Sequence, residues 1–387
     1  MQIQLEKTLD VEVVEEQLAE LWKQIAGDVN SDDDTAVMRA RVANLLVFVT
    51  SDPMLDEVQR MMLELTAIHP SRVLTMLGAY ELPDRDIEMS VESFCQTDKR
   101  TGAKRLCCEE ITLRAQGKFV AELPSAALPL LVPDLATFLW WRNALRVSDK
   151  IFYTLLRATD RLVIDSAEFA DPQRDLVEVN KLFTTGEFDH VGISDLNWAR
   201  LTFWRGLLAD FYDVPTYQPL LNGIDYVRVD YVGPELAPET VATQALLIAA
   251  WLASRLGWTL AEERRAEESN QTTSFGFSSM DGRAIKLELT RVERGERKPG
   301  RLVHAELRTS DKESDKEQAS FVVTRSPDNL HLLTEARVGA NTHRGRVLPV
   351  RNRSAAQLLS REMEILCNDQ IYQEAVALAA KMIEGTK

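Results

Sequence analysis

Tryptophan and arginine are concentrated in the middle of the chain, and these residue types carry much of the binding energy at protein–protein interfaces. An arginine guanidinium also stacks favourably on an indole ring. Consecutive strand residues point to opposite faces, so the neighbouring Trp140 and Trp141 cannot share one core layer. The pattern predicts a partner-binding surface, with burial of most of the rings in the core as the alternative. The candidates are Trp140, Trp141, Arg142, Trp198, Arg200, Trp204 and Arg205.

A second group of arginines lies between Arg337 and Arg353, where no acidic residue follows Glu335. Guanidinium groups bind phosphates and carboxylates through paired N–H donors. This segment is therefore a candidate site for a sugar phosphate or for an acidic partner surface. A solvated loop leading into the last helix is the alternative. The candidate phosphate-binding residues are Arg344, Arg346 and Arg351.

Three of the four cysteines fall on two strand-like segments joined by the charged turn 97–105, which predicts a β-hairpin. In this hairpin Cys95 would lie opposite Cys107 or Cys108, where cross-strand Cβ atoms are about 4.5–5.5 Å apart. We therefore consider a redox-responsive pair, with three inert buried thiols as the alternative. Four cysteines are too few for a disulfide framework in a chain of 387 residues, which indicates a reducing compartment.

The sequence lacks the common motifs of catalysis and cofactor binding, such as GxGxxG, GxxxxGK[ST], HExxH, GxSxG and CxxC. The five histidines are scattered and do not pair at metal-ligand spacing. The segment from Asp28 begins like a calcium loop, but Asp33 stands where glycine is needed and Arg39 where glutamate is needed. We therefore predict no catalytic residue, no metal and no cofactor, and a chain that is not an enzyme.

One polar pair follows a predicted strand at its carboxyl end. Asp165 and Ser166 come directly after the apolar segment 161–164, at the place where α/β folds bind ligands. The interpretation we prefer is a cap for the helix that begins near Pro172.

Composition places the chain among acidic globular proteins. It has 45 Lys and Arg against 60 Asp and Glu, a net charge of −15, which argues against nucleic acid as a partner. The N-terminus does not resemble a signal peptide. The most apolar window, 241–256, is shorter than the roughly 20 residues of a membrane helix. We expect a cytoplasmic protein that does not enter a membrane.

Periodicity predicts a mixed architecture. The N-terminal elements are helix 10–26, strand 42–49, helix 54–68, strand 72–79 and a hairpin of strands 87–96 and 106–115. A β-α-β unit favours at least one parallel strand pair. After residue 260, strands 272–279, 283–293, 301–310, 318–325 and 329–337 read as an antiparallel meander, and helix 354–384 ends the chain. The fold class is therefore α/β (α+β), with an N-terminal mixed α/β sheet domain (1–168) and a C-terminal α+β domain (169–387).

Several long segments resemble, as a set and in order, the motifs of the OpcA family of glucose-6-phosphate dehydrogenase assembly proteins. The tryptophan-rich ones are LLVPDLATFLWWRN (130–143), DRLVIDSAEFADP (160–172) and DLNWARLTFWRGLLADFYD (195–213). Shorter ones are RVANLLVFV (41–49), HPSR (69–72) and EEITLRAQG (109–117).

The resemblance implies a function in carbohydrate metabolism without a reaction of its own. Family members bind glucose-6-phosphate dehydrogenase, promote its active oligomer and raise its activity at the entry to the oxidative pentose phosphate pathway. A protein of this kind would act as an allosteric activator through protein–protein interaction. The alternative is a sugar-phosphate-binding enzyme or sensor that uses the Arg337–Arg353 segment.

Overall fold

The central strand of the first sheet is the apolar run Ala43–Val49, whose seven residues are all buried. In this computed structural model it lies between two parallel neighbours, Ser71–Ala79 and Thr137–Trp141. A strand covered on both faces must be apolar throughout, and this pattern predicted it. The structure describes residues 3–5, 11–27, 36–39, 41–66, 68–97, 104–261, 271–310, 317–350, 353–365 and 367–385.

The chain divides into two compact units, and the first comprises Met1–Ile164, Thr185–Leu196 and Arg353–Asn368. Its described strands are β1 (Ile3–Leu5), β2 (Ala36–Arg39), β3 (Ala43–Val49), β4 (Ser71–Ala79), β5 (Arg85–Thr97), β6 (Lys104–Gln116), β7 (Thr137–Trp141), β8 (Arg161–Ile164) and β9 (Gly192–Asp195). Its described helices are α1 (Val11–Gly27), α2 (Asp52–Thr66), α3 (Leu123–Ala127), α4 (Lys150–Leu156) and, much later in the chain, α9 (Ala355–Glu362).

The first sheet is mixed, as predicted. Its order is β1-β5-β6-β4-β3-β7-β8-β9, with β2 paired to β6. Strands β6, β4, β3, β7, β8 and β9 run parallel to one another, whereas β5 is antiparallel to β6 and forms the predicted hairpin with it. The chain proceeds from β3 to β4 on one side and later places β7 on the other side. The ends of β3 and β7 therefore define a topological switch point.

The second unit comprises Asp165–Thr184, Asn197–Asn352 and Asp369–Lys387. Its described helices are α5 (Pro172–Thr184), α6 (Leu196–Arg200, whose first residue belongs to the first unit), α7 (Thr202–Asp210), α8 (Thr243–Arg255) and α10 (Gln370–Glu384). Its described strands are β10 (Ile224–Val232), β11 (Thr259–Leu260), β12 (Thr272–Ser278), β13 (Ala284–Val292), β14 (Leu302–Ser310), β15 (Glu317–Arg325), β16 (His331–Val338) and β17 (Asn341–Pro349).

The second sheet is larger than the predicted meander. Its order is β11-β12-β13-β10-β14-β15-β16-β17. The strand that sequence analysis missed, β10, separates β13 from β14 and runs parallel to β13. Helix α8 lies against β10 and β13, and α10 packs against α8 and α5. The sheet is therefore mixed, and the expectation of a purely antiparallel meander is corrected.

The end of the chain also differs from its prediction. The single helix expected at 354–384 is two helices, α9 and α10, and the second begins where the Asp369 carboxylate accepts a hydrogen bond from the Tyr372 amide at 2.9 Å. An N-cap of this kind starts a new helix.

The two units are not consecutive in the chain, in contrast to the predicted domains 1–168 and 169–387. The first break, between Ile164 and Asp165, lies close to the predicted boundary. The chain returns to the first unit because β9 pairs in parallel with β8. It returns again because α9 contacts α2, where the Ser354 hydroxyl donates to Glu64 at 2.8 Å. In the parts of the chain that the structure describes, no helix has the length and apolarity needed to cross a bilayer.

Candidate functional site

The switch point of the first sheet is the place where a doubly wound fold usually binds its ligand. Here the ring of Trp141, at the end of β7, stacks on Phe48 of β3 with centroids 4.5 Å apart and planes at 13°. Phe152 of α4 meets the same indole edge-on at 4.9 Å. The indole Nε1 donates to the Ala144 carbonyl at 3.3 Å. The ends of these strands are thus held together by an aromatic stack.

The turn from β3 into α2 lacks the features of a phosphate-binding turn. A dinucleotide pyrophosphate normally sits on glycine-rich backbone at the N-terminus of this helix. In this chain the helix begins with Asp52 and Pro53, and the Asp52 carboxylate accepts a hydrogen bond from Arg114 at 2.5 Å. A negative charge at this position repels a phosphate group.

The other face of β7 carries Trp140 and leads to Arg142. The Arg142 guanidinium lies 5.0 Å from the centre of the Trp140 ring and donates to the Glu57 carboxylate of α2 at 2.8 Å. Both residues are buried. Their arrangement fixes α2 on the end of β7, which is a structural role.

The remaining tryptophan–arginine candidates lie in the second unit. The Trp198 Nε1 donates to Asp369 at 2.8 Å, and the Arg205 guanidinium covers the Trp198 ring at 3.6 Å from its centre. Trp204, on α7, has the Arg325 guanidinium 5.9 Å from its ring centre.

Burial decides how these rings are interpreted. Trp140, Trp141, Trp198 and Trp204 are 1%, 2%, 4% and 2% exposed. The alternative of core packing therefore describes the four indoles, and their expected role as direct partner contacts is not supported. Of the predicted set, Arg200 and Arg205 are the two members that are only partly buried.

Asp165 and Ser166 do not cap α5, which corrects the interpretation preferred from the sequence. The Asp165 carboxylate instead accepts two hydrogen bonds from Arg200, at 2.6 and 2.7 Å. At the start of α5 the Arg174 amide donates to Asp171, at 3.1 Å.

Ser166 begins a buried chain of hydrogen bonds that sequence analysis missed. Asn197 donates to the Ser166 hydroxyl at 3.1 Å, and Gln244 donates to the Asn197 oxygen at 2.7 Å. The Gln244 oxygen then accepts from the Leu302 amide at 3.2 Å. Side chains from two motif segments, 160–172 and 195–213, and from α8 are thereby joined to the start of β14.

The described part of the Arg337–Arg353 segment forms the end of β16 and the strand β17, in contrast to the alternative of a solvated loop. Arg337 lies on β16, 3.5 Å from Glu335, and Arg346 lies on the edge strand β17, 2.9 Å from Asp210. Carboxylates close in the fold thus neutralise arginines that look unpaired in the sequence. The side chain of Arg344 and all of Arg351 lie outside the described residues, so phosphate binding here stays a prediction.

The hairpin register matches the geometry assumed for the cysteines. Cys95 is paired with Cys107, and Phe94 with Cys108, whose side chain is buried. The side chains of Cys95 and Cys107 lie outside the described residues. A redox role for this pair therefore stays a prediction. The calcium-like segment 28–34 also lies outside the described residues. Within the described residues, no cluster of three metal-ligating side chains occurs.

A buried ion network occupies the first unit around Glu109, which is 0% exposed. Its Oε1 accepts from Arg72 and lies equally close to Arg41, both at 2.6 Å. Its Oε2 accepts from the Trp22 indole of α1 at 3.1 Å. The motif pieces RVANLLVFV, HPSR and EEITLRAQG each supply one of these charges, so their spacing serves the assembly of this unit.

The next residue, Glu110, is a buried carboxyl group that sequence analysis did not single out. Burial raises the pKa of Glu110 to about 7, while the Thr75 hydroxyl, which donates to it at 2.6 Å, opposes the rise and Glu92 adds to it. The folded chain keeps a proton that the unfolded chain releases above its ordinary pKa of 4.5. The free energy of unfolding therefore falls as the pH rises from 4.5 to about 7, and then levels off.

We expect the substitution Glu110→Gln to remove this pH dependence. Between pH 5 and pH 8 the difference in unfolding free energy should shift in favour of the variant by about 2–3 kcal/mol. Urea unfolding of both proteins at the two pH values measures the shift. The exposed Glu122→Gln is the matched control, and an equal shift in that control would contradict the assignment to Glu110.

The described elements define a class of protein: an α/β fold of two units, each with a mixed sheet, in which an aromatic stack lies at the switch point of the first sheet. Glucose-6-phosphate 1-dehydrogenase from Mycobacterium avium shares this fold, with a TM-score of 0.52 and 12% identity over 89% of this chain and 91% of that chain. A 3-ketoreductase from Actinomadura kijaniata has a TM-score of 0.50 and 11% identity over 89% of this chain and 96% of that chain.

The chain belongs to the OpcA family. Models described as the N-terminal and C-terminal domains of a glucose-6-phosphate dehydrogenase subunit match residues 63–181 and 191–376. A candidate OxPP cycle protein OpcA of Synechococcus elongatus is 27% identical over 81% of this chain and 67% of its own length. The Synechocystis relative of the same description is 26% identical over 83% of this chain and 65% of its own length. The chain thus spans about two thirds of the length of these relatives.

Proposed function

We propose that this chain is a non-catalytic assembly factor and allosteric activator of glucose-6-phosphate dehydrogenase in the oxidative pentose phosphate pathway, acting in the cytoplasm. The observation that carries the proposal is the match of two family models, both described as domains of a glucose-6-phosphate dehydrogenase subunit, to most of the chain.

The geometry of the first unit supports a non-catalytic role. A dehydrogenase of this fold type needs a free switch point for its dinucleotide. Here Trp141 and Phe48 are stacked at that point, and Asp52 occupies the start of α2. The scaffold is therefore better suited to present surfaces than to hold a cofactor there.

Activation requires that the chain bind the active form of the dehydrogenase more tightly than the inactive form. Coupling of this kind typically amounts to about 1–3 kcal/mol, or about 5–150-fold in affinity. We expect the purified chain to form a complex with the dehydrogenase in size-exclusion chromatography with light scattering, and to raise its activity at limiting substrate. If the two proteins do not co-elute and the kinetics of the dehydrogenase do not change, the proposal is contradicted.

Within the second unit, Arg205 is the candidate contact that we would change first. Its guanidinium is only partly buried and is held against Trp198 at 3.6 Å, so little side-chain entropy is lost when a partner covers it. We expect Arg205→Ala to weaken the complex by about 2 kcal/mol, or about 30-fold. Titration calorimetry measures the change.

The exposed Arg294→Ala, whose side chain pairs with Glu235 at 3.1 Å, is the matched control. Equal affinities for the two variants would exclude Arg205 as a contact while leaving the complex itself to the co-elution experiment. The outcomes for the residue and for the function are thus separate.

A further inference from the structure

We propose that four arginines of the second unit, Arg200, Arg297, Arg301 and Arg325, form a binding site for the phosphate group of a small phosphorylated metabolite. We call these four residues the arginine cluster. The proposal concerns the chain alone and does not depend on its association with a dehydrogenase.

Backbone contacts fix two members of the cluster at neighbouring strand ends. Arg301 directly precedes β14, and its carbonyl accepts from the Val232 amide at the end of β10, at 2.9 Å. Arg325 ends β15, and its Nε donates to the Leu302 carbonyl at 3.0 Å. The Arg325 guanidinium therefore lies beside the residue that follows Arg301.

The chain of buried amides brings a third member to the same region. Ser166 is linked through Asn197 and Gln244 to the Leu302 amide, as described above. Asp165, the neighbour of Ser166, holds the Arg200 guanidinium through two hydrogen bonds. The Asp165–Arg200 pair and Arg301 thus approach each other from two sides of one rigid hydrogen-bond network.

Positive charge exceeds negative charge around the arginine cluster. Burial lowers the pKa of Arg301 to about 10; the charges of Arg200 and Arg325 lower it as well, and Asp165 raises it. Burial and the charge of Arg297 likewise lower the pKa of Arg325. All four guanidinium groups remain protonated at neutral pH. The cluster therefore sets four positive charges against Asp165, whose two carboxylate oxygens already accept hydrogen bonds from Arg200 and, at 3.2 Å, from the Ala167 amide.

Other arginines of the same sheet are paired with carboxylates, in contrast to Arg301. Arg228 pairs with Asp230 at 2.8 Å, and Arg308 pairs with Glu306 at 2.7 Å. Among the residues that the structure describes, none forms a salt bridge with the Arg301 guanidinium, and the buried Nε of Arg297 has no hydrogen-bond acceptor. Arg297 and Arg325 donate to backbone carbonyls, of Glu293 and Leu302, which carry no full negative charge, and a partly buried cation without a counter-charge is costly.

The charge balance points to a phosphate monoester. Once Asp165 has neutralised Arg200, three positive charges remain, and a phosphate monoester carries a charge of about −1.5 to −2 at pH 7. Its three equivalent oxygens can accept the paired N–H donors of several guanidinium groups at once. A carboxylate, with one charge and two oxygens, would leave more of the cluster unpaired.

Calorimetry and thermal-shift measurements on the chain alone test the proposal. The probes are glucose 6-phosphate, 6-phosphogluconate and inorganic phosphate, with glucose as the neutral control. We expect saturable heat and a rise in Tm with at least one of the phosphates and neither with glucose. Arg301→Gln should weaken this binding at least tenfold, whereas the exposed Arg294→Gln should leave it unchanged.

A second readout separates binding from packing. In phosphate-free buffer Arg301→Gln removes a repelled cation, so its Tm should equal or exceed that of the original chain. If this variant does not fold, Arg297→Gln replaces it in both measurements. The absence of saturable binding for every phosphate tested would overturn the proposal. Binding that survives both substitutions would overturn it as well. Protection of the cluster by the dehydrogenase alone, without response to any small anion, would also overturn it in favour of a protein interface.

Discussion

Replacing Trp204 by alanine is expected to lower the free energy of unfolding by about 3–5 kcal/mol, because removal of a buried indole leaves a large cavity. The ring is 2% exposed, on a helix that lies against β15. Urea unfolding followed by far-UV circular dichroism measures the loss. The effect would be on stability first, and on partner binding only through the fold.

The adjacent Phe203 provides the matched control, because it is 37% exposed on the same helix. Phe203→Ala should cost clearly less than Trp204→Ala, since 37% of the Phe203 surface is already solvated. A loss for Trp204→Ala as small as that for Phe203→Ala would contradict the placement of this indole in the core.

The second large effect is expected at Glu109. Glu109→Ala should cost about 3–5 kcal/mol, because it leaves Arg72 and Arg41 in the first unit without their shared carboxylate. The Trp22 indole of α1 also loses its acceptor. Unfolding measurements and the hydrogen exchange of α1 would report the loss, which should be concentrated at that helix.

A surface ion pair of the same unit is the control for this experiment. Glu20 pairs with Lys23 on α1, and their side chains are 55% and 76% exposed, so Glu20→Ala should cost about 0–1 kcal/mol. If Arg72→Met is added to Glu109→Ala, part of the lost stability should return, because an apolar side chain needs no counter-charge. A further large loss in the double variant would contradict the electrostatic explanation.

Local periodicity was sufficient to predict helices α1 and α2 and strands β3 to β6 of the first unit, but not the short strands β1, β2 and β9. The apolar run at β3, the helical spacing of α2 and the charged turn of the β5–β6 hairpin each carry a signal within a few residues. The signal is weaker where pairing depends on distant sequence. Strand β10 joins partners far along the chain, and the exposed edge strand β17 has no apolar alternation, so both were missed.

The candidate site shows the same limit. Motif segments identified the family and drew attention to Asp165, Arg200 and the tryptophans, but not to their contacts. Arg301 stands alone in the sequence, and its neighbours Arg200 and Arg325 come from other elements. Conversely, the fold places Asp210 beside Arg346 of β17, a contact that the sequence alone does not reveal, and phosphate binding by this segment stays a prediction. Charge clusters of this kind are created or cancelled by long-range topology.

The interleaving of the two units has a consequence for how the polypeptide reaches its folded state during synthesis. The first unit needs the segment Arg353–Asn368, so its last helix is translated only near the end of the 387 residues. A ribosome-bound nascent chain must therefore wait with an incomplete first unit while almost all of the second is made. A single proteolytic cut or gene truncation therefore cannot release either unit whole, and the two units have to be encoded together.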